Sequence, residues 1–180
     1  MRVHQIPLER LSPDAFSPFG QVLAAGDRSP DFSRPLLDNW RFPFASDAPP
    51  RLQIMRYHTQ QMRLTLFERH VFVTEARFPI DGAKGVIVVA GNTVEDDHPD
   101  PKAARAFLID GSAGLMLKPG VWHGLDCFPV DRPHSDFLFL SDEKTEVEIE
   151  TVGHGERTQL FDFAPVVEFV VTDPDGLMVR

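Results

Sequence analysis

The sequence predicts an all-β domain, a barrel or a sandwich, from three observations. Short runs rich in Val, Ile, Phe and Thr recur at close spacing. Turn signals such as Pro79-Ile-Asp-Gly82, Asp110-Gly111, Pro119-Gly120 and Asp131-Arg-Pro133 separate them. Sixteen prolines and twelve glycines, spread along the whole chain, leave little room for long helices.

The elements follow in order. Ser12-Pro13-Asp14-Ala15-Phe16 reads as a short helical turn, with Ser12 as cap and proline at its first position. Gly26–Pro50 reads as an extended arm. Its interleaved Phe32, Leu36, Leu37, Trp40, Phe42 and Phe44 call for burial on the same body or on a partner subunit, since a solvated linker rarely carries so many large apolar groups. Strands are then expected at Arg51–His58, Met62–Phe72, Val73–Phe78, Gly85–Ala90, Ala104–Ile109, Gly114–Leu117, Asp136–Leu140 and Val147–Val152. The apolar stretch beginning at Phe161 reads as an added edge strand or an arm toward a second subunit. The expected layout is one domain: an N-terminal segment and arm over residues 1–50, a β-barrel core over 51–157 and a C-terminal apolar extension over 158–180.

Composition narrows the function. The 180 residues carry 27 acidic and 18 basic side chains, a formal net charge of −9 with the basic groups scattered, so nucleic-acid binding is not expected. No membrane association is expected either, because the longest aliphatic run, Val86–Ala90, falls far short of the roughly 20 residues that span a bilayer. Residues 1–10 contain no apolar h-region, and a cytoplasmic protein is the expectation. A single cysteine, Cys127, rules out an intramolecular disulfide and reads as a packed, inert thiol. Fifteen Phe against one Tyr point to core packing, and Trp122 and Phe107 are read the same way. The acidic runs Glu95-Asp96-Asp97 and Asp142–Glu150 lack the ligand spacing of a calcium loop and read as solvated faces.

Two stretches carry chemistry. In Glu68-Arg-His70-Val-Phe-Val-Thr-Glu75, strand alternation puts Glu68 and His70 on one face and Arg69 on the other, and Glu75 can return to that face after a turn. In Gly114-Leu-Met-Leu-Lys-Pro119-Gly120-Val-Trp122-His123, the Pro-Gly turn presents His123 at the start of a new strand. Glu68, His70, Glu75 and His123 together make a mixed N/O ligand set suited to Ni, Mn, Fe or Zn, and softness does not choose among these ions. Bland readings stand beside this one: Glu68 and His70 as a surface ion pair, and His123 as a structural histidine bonded to a carbonyl.

The spacings E-x-H-x4-E-x6-G and G-x4-P-G-x-x-H resemble the two signature motifs of the cupin superfamily, with Glu68 where the first histidine is usual. More narrowly, Leu66–His70, Gly85–Ala90, Arg105–Ile109, Pro119–His123 and Ser135–Leu138 occur in that order after an opening Leu8…Phe16-Ser-Pro-Phe-Gly20. This ordered set resembles the ureidoglycolate lyase (ureidoglycolate hydrolase) family over most of residues 1–150. It departs from that family at Gly124, where a second histidine is common, and in the tail after about Arg157. The resemblance implies a cupin-like β-barrel (a double-stranded β-helix or jelly roll), commonly a homodimer. It also implies cleavage of ureidoglycolate to glyoxylate and urea in allantoin catabolism. In that reaction Glu68, His70 and His123 are the candidate catalytic residues, with Glu68 either a fourth ligand or the base. Arg77, Lys118 and Arg105 are candidates to hold the carboxylate of a small substrate, Arg105 being equally a structural ion-pair partner for Asp136 or Asp142. The alternatives are another cupin enzyme acting on a related hydroxy or keto acid, and a non-catalytic small-acid-binding cupin.

Overall fold

The computed structural model describes residues 1–93 and 97–179. In chain order the elements are β1 (Arg2–Arg10), α1 (Pro13–Phe16), β2 (Gly20–Leu23), β3 (Phe32–Arg34), β4 (Leu37–Asn39), β5 (Pro50–His58), β6 (Arg63–Leu64), β7 (Leu66–His70) and β8 (Glu75–Pro79). They continue with β9 (Gly85–Ala90), β10 (Arg105–Ile109), β11 (Gly114–Leu117), β12 (Trp122–Gly124), β13 (Phe128–Pro129), β14 (His134–Asp142), α2 (Glu143–Val152), β15 (Thr158–Asp162) and β16 (Val167–Thr172). The domain is therefore mostly β, and none of its helices is long and apolar enough to cross a membrane, among the described residues.

Two sheets make the body. The smaller runs β2-β11-β8-β14-β5, and the larger runs β15-β7-β12-β9-β10-β1-β16-β6 with β13 also paired to β9. The larger path begins beside β7 and ends on β6, and these two strands are one ribbon interrupted only at Thr65. The sheet thus curls back onto itself and gives the barrel-like form expected from the motifs.

Burial on both faces explains why Gly85–Ala90 is a continuous apolar run rather than an alternating one. Val86, Val88 and Ala90 face a core inside the curl with Ile6, Leu8, Phe67, Trp122 and Phe169. Ile87 and Val89 face a second core between the sheets, with Phe16, Phe107, Leu115, Tyr57 and Phe137. Gly85 itself is required there: a Cβ would stand 2.5 Å from Cys127 Sγ. Cys127 is fully buried, and burial pushes its thiol up to about 12, as an inert packed cysteine should be.

The structure departs from the sequence reading at several elements. Val147–Val152 is not a strand but the second half of α2. The Asp142 carboxylate caps Thr145 N–H and Gly153 closes the helix at positive φ, so local capping overrides the strand propensity of the valines. The run Met62–Phe72 is two strands, divided at Thr65. Residues 2–10 form a strand that Pro7 hides from pattern reading. At this proline the ladder changes partner, from β16 through residue 7 to β10 from Leu8. Finally, the arm is only partly anchored. Phe42 and Phe44 pack with Leu23, Ala76 and Met116 on the outer face of the small sheet, whereas Phe32 and Leu36 stay exposed on the β3–β4 hairpin. The stretch from Phe161 takes the first of its two expected forms: β15 is an edge strand of the large sheet, β16 pairs within it, and Phe161, Phe163 and Phe169 pack into its core. Of the acidic run at 95–97, Glu95 and Asp96 lie outside the described residues, and Asp97 pairs with Arg69.

Candidate active site

The first motif stretch lines a cavity of about 220 Å³, and His123 of the second reaches Glu68 and Glu75 of that lining. Strand parity sets which side chains enter it. On β7, Phe67 turns into the core, while Glu68 and His70 line the cavity. Arg69 takes the opposite side, as expected, stacked on Trp122 and bonded to Gln159 and Asp97. His123 sits on β12 directly across the ladder from Glu68. Glu75 and Arg77 come from β8 of the other sheet, with like parity. The turn between the motif halves is fixed by Gly120, whose φ of +78° suits glycine and whose N–H donates to the His70 carbonyl at 2.8 Å.

Glu75 is the hub. Its Oε1 lies 3.2 Å from His70 Nε2, and its Oε2 lies 3.1 Å from His123 Nε2 in a poorly aligned contact. Arg77 Nη2 donates to the same Oε2 at 3.4 Å. Burial alone would raise the Glu75 carboxyl, but the two imidazoles outweigh it and hold it well below the usual carboxylate range. For His70, burial disfavours the charged ring, yet the charge and hydrogen bond of Glu75, with help from Glu68, raise it overall. Far-side contacts fix both rings. His70 Nδ1 is 3.1 Å from Thr158 Oγ1, its partner across the ladder, and His123 Nδ1 is 3.0 Å from the Gly124 carbonyl. Both Nε2 atoms therefore face the Glu75 carboxylate.

This arrangement fits a metal ion. One ligand atom from each of Glu68, His70 and His123 lies within 4.8 Å of the others, and the His123 Nε2 has no aligned partner. Glu75 bridges the two imidazoles at the edge of that trio. A Cβ at Gly124 would stand 2.8 Å from Leu64 Cδ1, the movable end of a side chain.

Arg77 is 2% exposed, and its Nε and Nη1 have no hydrogen-bond partner. The other two cationic candidates stand elsewhere. Lys118 is exposed and donates to the Ser17 carbonyl at 2.7 Å. Arg105 pairs with Glu9, rather than with Asp136 or Asp142, and stacks on Phe107. Residues that sequence reasoning missed complete the wall: Met55, Leu125, Phe139, Glu146 and Ile149. Phe139 was traceable by alternation along β14, but Glu146, read as part of a solvated acidic run, and Ile149, read as part of a strand, both lie on α2.

Residues 3–160 match the ureidoglycolate lyase family. A ureidoglycolate lyase from Pseudomonas syringae pv. syringae is 33% identical over 130 residues, 67% of this chain and 74% of its own. One from Escherichia coli O139:H28 is 29% identical over 153 residues, covering 76% and 91%. Among solved structures, a dTDP-sugar isomerase from Desulfovibrio desulfuricans G20 is 12% identical, covers 82% of this chain and 84% of its own, and has a TM-score of 0.42. The matched span contains every one of the motif residues gathered in the cavity, and on that span the chain belongs to the ureidoglycolate lyase family.

Proposed function

We propose that this protein is a lyase that cleaves ureidoglycolate to glyoxylate and urea, and that the cavity around Glu75 is where it does so. Family membership supplies the substrate. The observation that carries the reading is Arg77: a buried guanidinium with two unpartnered nitrogens, in a cavity sized for a small acid, beside a carboxylate–imidazole set. A planar guanidinium matches a carboxylate with two charge-assisted hydrogen bonds.

Ureidoglycolate carries a hydroxyl and a ureido nitrogen on one carbon next to a carboxylate. Its elimination requires removal of the hydroxyl proton as the carbon–nitrogen bond breaks. In this proposal Arg77 binds the carboxylate and sets the reacting carbon against Glu68. The Glu68 Oε1 stands 3.8 Å from His123 Nδ1 and 4.0 Å from His70 Nε2, and the carboxylate takes the hydroxyl proton. Glu75, kept ionised, holds His70 and His123 in place. Met55, Leu125 and Phe139 limit water around the charged groups. A divalent ion held by His70, His123 and one oxygen of Glu68, the other oxygen keeping the base role, would lower the pKa of the substrate hydroxyl, and Mn, Fe, Ni and Zn all suit those donors.

The test is incubation of the purified protein with ureidoglycolate and metal, following glyoxylate. Release no faster than the spontaneous rate overturns the reading. The metal has its own check. Protein purified without chelator is expected to hold about one ion per chain by elemental analysis, and the His70→Ala, His123→Ala double variant is expected to hold less than a tenth of that, because two of three converging donors are gone.

The proposal also makes the enzyme a cytoplasmic homodimer. Support for the pairing comes from the outer face of the small sheet, where Leu52, Ile54 and Phe78 are exposed next to Leu138 on neighbouring strands. Light scattering is expected to give twice the 20.3 kDa chain mass, and Ile54→Lys is expected to shift it toward one.

A further inference from the structure

We propose that Glu146 is the proton donor to the ureido nitrogen as it leaves, a deepening that rests on the proposed lyase reading. The elimination has two proton events, and Glu68 accounts for one. As the hydroxyl proton moves to Glu68, the O–H electron pair becomes the second carbon–oxygen bond of glyoxylate. The carbon–nitrogen pair withdraws onto nitrogen, which must gain a proton to leave as neutral urea. A carboxylic acid in the same cavity balances that step, and the proton it gives is replaced from solvent after urea departs.

Glu146 meets the geometric requirement. It lines the same cavity as Glu68, His70, Glu75 and Arg77, but from α2, an element that contributes none of the residues in the motifs. The helix turns one face inward: Thr145 and Glu146 are buried, and Ile149, one turn on, lines the cavity with Glu146. The cap at Asp142 fixes where that face falls. Gln53 Nε2 donates to Glu146 Oε2 at 2.7 Å, which pins the carboxyl and leaves Oε1 to carry the transferable proton. Among the described residues no lysine or arginine is bonded to it, in contrast with Glu75, which accepts from Arg77. Burial favours its protonated form and the Glu75 charge adds to this, and together they outweigh the hydrogen bonds of Gln53 and Ser141 and the His70 charge. The helix N-cap, Asp142, is by contrast ion-paired to Arg157 and fully occupied in holding α2.

The experiment compares the full-length protein with Glu146→Gln and Glu146→Ala, measuring glyoxylate release. Gln keeps an acceptor for Gln53 but has no proton to give. Its kcat is expected to fall about 100-fold or more, with KM within about threefold, since loss of a general acid affects the chemical step more than binding. Glu146→Ala is expected to regain about tenfold of its lost rate with added formate, a small acid that the vacated space admits; a merely structural role would not respond to formate. Melting temperature and circular dichroism establish that both variants fold. Turnover by the unmodified protein together with a Glu146→Gln kcat above half of normal, a loss confined to KM, or no response to formate overturns the assignment of Glu146 while leaving the lyase reading intact. Absence of turnover by the unmodified protein overturns both.

Discussion

Replacing Arg77 by methionine is expected to lower kcat/KM for ureidoglycolate about 1000-fold and leave the fold standing. Two charge-assisted hydrogen bonds to a carboxylate contribute about 2 kcal/mol each, and about 1.4 kcal/mol corresponds to a factor of ten. The stability expectation runs the other way. Arg77 is 2% exposed and its Nε and Nη1 have no protein partner, so part of its desolvation cost is not offset by hydrogen bonds within the chain. Methionine has similar length, and its thioether can rest on the Phe139 ring that the guanidinium now covers at 5.5 Å. Exchanging a buried ion for an apolar side chain of similar size is often neutral or stabilising. Glu75 keeps both imidazoles as partners in the variant. Steady-state kinetics with a melting curve on the same sample checks the pair of outcomes. A variant that retains more than a tenth of normal kcat/KM would remove Arg77 from the substrate site.

The second large effect is on stability. Asp142 is fully buried, and its carboxylate accepts from Thr145 N–H at 2.8 Å, Ser46 Oγ at 2.7 Å and Arg157 Nη2 at 3.0 Å. It therefore ends β14, caps α2 and holds the arm through Ser46 at once. Asp142→Ala is expected to cost about 3 kcal/mol, from a lost helix cap and a largely buried charge left with a weaker partner set. For a chain of this size that lowers Tm by about 10 °C. Asp142→Asn keeps an acceptor for the cap and is expected to lose less. The pH dependence has a defined sign. Burial pushes the Asp142 carboxyl up, but Ser46, Thr145 and Arg157 together bring it below its ordinary value. The stabilisation is then fully present above the ordinary value of about 4 and disappears as pH falls through the lowered one. The Tm difference between the normal protein and Asp142→Ala should shrink in that acidic window and be constant above it.

Much of the site was legible because strand parity is a strict geometric rule. Glu68 and His70 share a face whatever the tertiary fold does, and the Pro119-Gly120 turn needs its glycine wherever it lies. The residue types at 68, 70, 75 and 123 then named a chemistry before their convergence was known. Strands with both faces covered, such as Gly85–Ala90, announced themselves as uninterrupted apolar runs. Cation placement was less legible, since charge alone carries no direction. Arg77, Lys118 and Arg105 look alike in the sequence, yet one enters the cavity, one binds backbone carbonyls and one pairs with Glu9. Glu146 was hidden for another reason. Within Asp142–Glu150 five of nine residues are acidic, and such a run reads as solvated unless the cap at Asp142 is recognised and the helical phase is counted from it. The strand at residues 2–10 was concealed by a single proline that falls at a change of ladder partner.

The pairing of β16 with β6 reaches beyond packing. Two residues after β6 begins the ribbon that bears Glu68 and His70, so the foot of that ribbon is braced by a segment more than a hundred positions downstream. A polypeptide leaving the ribosome exposes the two motifs long before residues 167–172 emerge. Until that segment pairs with β6, the ring stays open and the acid and its imidazole lack a fixed footing.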